Sequence, residues 1–153
     1  MIAEFRKRKG SAISELGPAL FLLFLVILFP LLDLIVLGLT YCSCTTLNDL
    51  QADKAALLPK SQADSDGGPI KTEVPSVWQK TGFGSLVKLA SQPTTQIDYE
   101  PSNGAVYVVV STTCVAAPFL AIPFIPGIPA VSAPVTFTLK ARRVVEDPTN
   151  LNR

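Results

Sequence analysis

The chain has 153 residues, of which 48% are hydrophobic and 16% charged, with a formal net charge of +1. That length holds one membrane segment and one small domain, and the apolar excess shifts the chain toward the membrane class. The charge balance implies no nucleic-acid partner, and the absence of histidine removes Ser–His and Cys–His nucleophile pairs and the commonest metal ligand.

Residues 1–10 form a polar leader in which Arg6, Lys7, Arg8 and Lys9 face one nearby acid, Glu4. Leu16 to Tyr41 follows as a run of 26 residues with a single charge, Asp33. As a helix it would reach about 39 Å, more than the roughly 30 Å of a hydrocarbon core, so it can span with some tilt. Beyond it, Asp49 and Asp53 face only Lys54. The excess of basic residues before the span places residues 1–14 in the cytoplasm and Cys42 onward across the membrane. The run is too long for the apolar region of a secretory signal, and no A-x-A site follows. Tyr41 is too bulky for lipoprotein processing at Cys42, so the segment is read as a retained anchor.

Within the span, Pro18 falls in the first turn, where amides lack partners anyway. Pro30 lies deeper and frees the carbonyl of Val26, which predicts a kink or a local melt. Asp33 lies toward the far interface, where it either snorkels to headgroups or meets a partner helix.

Residues 42–58 carry good helix formers and apolar positions at Leu47, Leu50, Leu57 and Leu58. They predict a half-buried extension of the helix, ended by Pro59. Residues 60–76, rich in Ser, Asp, Gly and Pro, read as a surface loop; a short helix is expected over Ser85–Ala90. A strand is predicted over 104–114, rich in Val, Tyr and Thr and bounded by Asn103-Gly104. Another is predicted over 135–144, where Val135, Phe137, Leu139 and Ala141 share one face and Thr136, Thr138, Lys140 and Arg142 the other.

Between these strands the five prolines of residues 118–134 forbid a regular helix or a central strand. The insert is too apolar for an ordinary exposed loop. It is either a lid packed on the helix or sheet, or a loop docking on a partner or membrane through Phe119, Ile122, Phe124 and Ile125. The fold class is therefore α+β: a long N-terminal hydrophobic transmembrane helix with a polar extension, then a small antiparallel β-sheet head. The chain divides into a leader at 1–10, a transmembrane and stalk helix at 11–59, a loop-rich linker with a short helix at 60–103, and a β-rich head with a polar tail at 104–153.

The three cysteines would face an oxidising compartment. Cys42 and Cys44 point to opposite sides of a helix and do not suit each other. A Cys44–Cys114 disulfide would tie stalk to sheet; three packed, reduced thiols are the alternative. The cysteines lack zinc spacing, and the "TGFGS" of residues 81–85 reads as a turn rather than a phosphate loop. No catalysis, cofactor or metal is expected.

One acid asks for an explanation. A carboxylate at mid-span costs about 2.5–3.5 kcal/mol, less at the edge, where Glu15 opens the apolar run. A first-turn acid gains roughly 0.3–1 kcal/mol from the helix dipole; a capping box fails because Ala12 stands where Ser or Thr is needed. A cut after Gly10 would instead expose an amine on Ser11 that a neighbouring copy's Glu15 can pair with. Two unit charges about 4 Å apart attract by about 4 kcal/mol at an effective dielectric of 20, before desolvation.

"KRKG|SAISE" resembles the leader of type IV pilins and pseudopilins, and within that class the chain most resembles the TadE/TadG-like minor pseudopilins of tight-adherence (Flp-type) pili. The resemblance rests on the anchor and, more loosely, on residues 104–146, with Leu16 standing where the family often has an aromatic. It implies cleavage between Gly10 and Ser11 by a prepilin peptidase and Glu15 as the assembly acid. It also implies other pilin subunits as partners through the helix, a bacterial inner-membrane location, and a head in the periplasm or on a surface pilus. The alternative is an uncleaved, signal-anchored envelope protein that acts as a tethered binding module.

Overall fold

A computed structural model of the protein describes residues 14–120, 127–129 and 132–146. Helix α1 runs over Ser14–Leu57, 44 residues, or about 66 Å at the usual rise. Its most apolar stretch has a mean hydropathy of 3.0 and is only 6% buried. That exposure excludes the buried core helix of a soluble protein and leaves one helix near the N-terminus long and apolar enough to cross a membrane.

The expected disturbance at Pro30 takes a specific form. Phe24–Leu28 is a π-helical turn in which the Phe29 amide reaches back to the Phe24 carbonyl. Pro30 sits in the first turn of the α-helical stretch that follows. The wider turn absorbs the missing donor, and the helix continues instead of melting. At the other end Leu58 turns extended and Pro59 stops the helix, as the sequence predicts.

From Thr40 onward α1 buries Thr40, Ser43, Cys44, Leu47, Asn48, Gln51, Ala52, Ala55 and Ala56. The spacing of three and four makes one continuous stripe. It is a stripe of small and polar residues. Leu50 and Leu57, expected to pack, are 46% and 58% exposed, because they lie off this face. Alanines in the stripe let the sheet approach the helix backbone closely, which leucines would prevent.

The sheet has three antiparallel strands in the order β1-β2-β3: β1 Thr94–Ser102, β2 Ala105–Ala116 and β3 Val135–Val144. On β3, Leu139 and Ala141 are buried while Thr136, Thr138, Lys140 and Arg142 are exposed, the alternation the sequence predicts. The segment read as a linker, 60–103, is far more structured than its composition suggests. It holds α2 (Lys60–Ala63), α3 (Glu73–Lys80), a 3-10 turn at Gly82–Leu86 and the whole of β1. The helical turn therefore precedes the expected Ser85–Ala90, and Leu89 instead bridges to Ala116 at the end of β2.

Two signals account for the difference. Asn103 and Gly104 both have positive φ, at 53° and 76°, between the paired residues Ser102 and Ala105. That is a two-residue hairpin turn, which demands a strand before it. Pro75 lies in the first turn of α3, where its missing amide costs little.

The core fills the space between the upper half of α1 and the inner face of the sheet. Ala52, Ala55, Ala56, Ile70, Ile97, Val108, Val110 and Val145 form one cluster. Cys44, Leu47, Val74, Trp78, Cys114 and Leu139 form the other.

Between them runs a buried polar seam. Gln51 donates from Nε2 to the Ile70 carbonyl and to Thr95 Oγ1, both at 2.9 Å. Its Oε1 accepts from Thr112 Oγ1 at 2.7 Å. Asn48, with its amide oriented to suit its neighbours, donates to the Val110 carbonyl (3.1 Å) and Thr112 Oγ1 (3.0 Å) and accepts from the Ala141 amide (3.0 Å).

Replacing Gln51 with Leu removes the acceptor of the Thr112 hydroxyl proton and the side-chain donor to the Ile70 carbonyl. The expected loss is roughly 2–4 kcal/mol of head stability. Urea unfolding of the full chain in detergent, followed by fluorescence of Trp78, the single tryptophan and 4% exposed, measures it.

Candidate functional site

The predicted site residues that the structure describes fall at three levels of α1. Gly10 and Ser11 lie outside the described residues. Glu15 lies on the first described turn of α1 and is exposed, just ahead of the lipid-sized apolar surface of Leu16, Leu20 and Phe21.

Just beyond the apolar run, Cys44 and Cys114 meet. Both are fully buried free thiols in one apolar cluster with Leu47, Trp78 and Leu139. The neighbouring Cys114 thiol, with burial second, pushes Cys44 far above the ordinary thiol range, and Cys44 in turn draws Cys114 down. Cys42 is exposed and stands apart.

Of the predicted docking residues, Ile122, Phe124 and Ile125 lie outside the described residues. Phe119 is 58% exposed. The residue that organises this region is one the sequence reading placed elsewhere. Asp33 does not snorkel. It is 2% exposed, and its Oδ1 accepts the amides of Phe119 and Leu120, each at 2.9 Å. Its Oδ2 has no hydrogen-bond partner among the described residues. A lone acid inside an apolar span and a proline-rich insert too apolar for water were both visible in the sequence. Their pairing was not, because it depends on β2 running down the helix toward the span.

The head carries further charged contacts above this level. Arg143 pairs with Asp53 (2.6 Å) and Asp49 (3.1 Å), linking β3 to α1. These groups are 40–58% exposed, so the contact adds at most about 1 kcal/mol. On the outer face the Arg142 guanidinium lies 3.9 Å from the Tyr107 ring centre. A depression of about 430 Å3 beside the 3-10 turn is lined by Gln79, Ser85, Lys88 and Gln92 among others, with no carboxylate. Among the described residues no group of three or more His, Cys, Asp or Glu side chains is placed to hold a metal ion.

The contact between the two thiols has a direct consequence. Mild oxidation of the folded full chain is expected to join Cys44 to Cys114 and leave Cys42 free, seen as one alkylatable thiol and a linked peptide pair in a non-reducing map. The bridge should raise head stability by about 2–4 kcal/mol; recovery of three alkylatable thiols after oxidation would refute it.

No protein-family model, no curated protein and no solved structure matches the chain.

Proposed function

We propose that the protein is a structural subunit, a minor pilin or pseudopilin of a tight-adherence pilus, within the type IV pilin-like class. The observation that carries this reading is the lower half of α1. It is apolar, nearly all exposed, and opens on Glu15 five residues after Gly10 and the four basic residues of the leader. Such a surface is stable in lipid, or against identical helices once they leave the lipid together. A carboxylate at its mouth sets the axial register if a neighbouring copy offers a terminal ammonium.

In this reading the chain sits in the bacterial inner membrane with its leader in the cytoplasm. A prepilin peptidase cuts between Gly10 and Ser11, the new amine is methylated, and the head faces outward to prime, cap or decorate a filament. Proteolysis is done to the protein, not by it. The upper half of α1, welded to the sheet along its buried stripe, would carry head and helix into the assembly as one piece.

Intact mass and N-terminal sequencing of protein from its native host test the reading. Its start is expected at Ser11. Replacing Gly10 with Leu should block maturation. Replacing Glu15 with Gln should leave cleavage intact and lower incorporation into filaments roughly tenfold, the effect of a net 1.4 kcal/mol per contact. Recovery of only the Met1 form beside an active peptidase would instead favour an uncleaved, membrane-tethered binding module.

A further inference from the structure

We propose that Pro118–Leu120 is a lipid-embedded latch: the chain leaves β2, enters the leaflet on the head's side of the membrane, and is pinned there by the Asp33 carboxylate, with Phe119 facing acyl chains. The inference rests on α1 spanning the bilayer and is independent of any role in a filament.

Depth is the first argument. Asp33 lies eight residues before Tyr41, or about 12 Å lower along the helix. The helix surface above and below it is apolar and open: Leu31 50%, Leu34 54%, Ile35 52% and Leu39 57% exposed. Tyr41, half exposed and in contact with the Phe137 ring at 5.5 Å, has the amphipathic character of a headgroup-level residue. A backbone turn bonded to Asp33 therefore sits well inside the hydrocarbon.

The path is the second. Cys44 and Cys114 share one buried cluster at the foot of the head, and Asp33 meets Phe119 below it. From Cys44 to Asp33 is eleven helical residues, about 16 Å. From Cys114 to Phe119 is five extended residues, also about 16 Å. The chain keeps pace with the helix instead of folding back over the head.

Chemistry is the third. No Asp, Glu, Lys or Arg occurs between Glu100 and Lys140, and the prolines of the insert have no amide to leave unsatisfied. Irregular backbone at membrane depth is tolerated only where it is packed against protein, or lines a water-filled cavity, so that its polar groups find partners. The amides of Phe119 and Leu120 find one in Asp33 Oδ1, and that carboxylate oxygen, which lipid would otherwise penalise, finds its donors in the same bonds.

Two measurements on the full chain, one copy per phospholipid nanodisc, test the latch. In a Trp78→Phe background, Phe119→Trp should be quenched by phospholipids brominated on their acyl chains and shielded from aqueous acrylamide. Quenching by acrylamide alone overturns the proposal. The second needs no reporter: hydrogen–deuterium exchange of the peptide containing Phe119 and Leu120. Exchange should be slow in the wild type and in Asp33→Asn, whose amide oxygen still accepts both bonds, and at least about tenfold faster in Asp33→Leu. Equal exchange in wild type and Asp33→Leu, or protection that appears only when copies are crowded together, refutes the latch, the latter in favour of a protein partner.

Discussion

The structure depends on the register between α1 and β2, and that register is held by two amides. Gln51 and Asn48 lie in the buried stripe of the helix and bond to Thr95, Thr112, the Ile70 and Val110 carbonyls and the Ala141 amide. Alanines alone would let a helix slide along a sheet at small cost, because one methyl-lined groove resembles the next. A slide here would strand several buried donors and acceptors at once, each costing about 1–3 kcal/mol. The seam thus turns a smooth contact into a single position.

The consequences run down the helix. With Gln51 beside Thr112, β2 descends antiparallel to α1. Cys114 then arrives at Cys44, and the extended chain beyond it arrives at Asp33. One helix accordingly carries two environments in sequence. Above Tyr41 it presents one face to the sheet; below, most of its apolar side chains are exposed, apart from the side on which Asp33 meets Phe119 and Leu120. Pro30 falls in the lower part, where no sheet crosses it, and the π turn of Phe24–Leu28 keeps the backbone bonded through it. Lipid offers no replacement donors, and a π turn is one of the local repairs open to a proline disturbance there.

What the sequence made legible follows from how local each signal was. The span and the alternating β3 are patterns of single segments, and both are read directly from residue type and period. The stripe on α1 was misjudged because leucines were weighted above alanines, whereas close approach to a sheet selects small residues at Ala52, Ala55 and Ala56. β1 was hidden by its polar, proline-containing composition, although Asn103-Gly104 announces the partner of β2. Pro75 disguised α3 by its apparent power to break helices. The Asp33 contact joins residues 86 apart in sequence, and no local pattern encodes a distance of that kind.

The same arrangement bears on how copies of the chain can meet. A small open sheet is exposed to edge-to-edge pairing unless its edges are protected. The β1 edge carries Asp98, Glu100 and Pro101, and the β3 edge carries Lys140 and Arg142. Charges and a proline on both outer strands disfavour strand addition, and the inner face is already covered by α1. Among the described residues, the extensive apolar surface left is the lower helix, with Leu16, Phe21, Phe24, Ile27 and Leu31 all exposed. Self-association that avoids the head and uses this surface needs lipid-like surroundings and a device for axial register. Glu15 stands where such a device belongs, at the mouth of the apolar run, and this supports reading the chain as a subunit assembled through its helix rather than through its sheet.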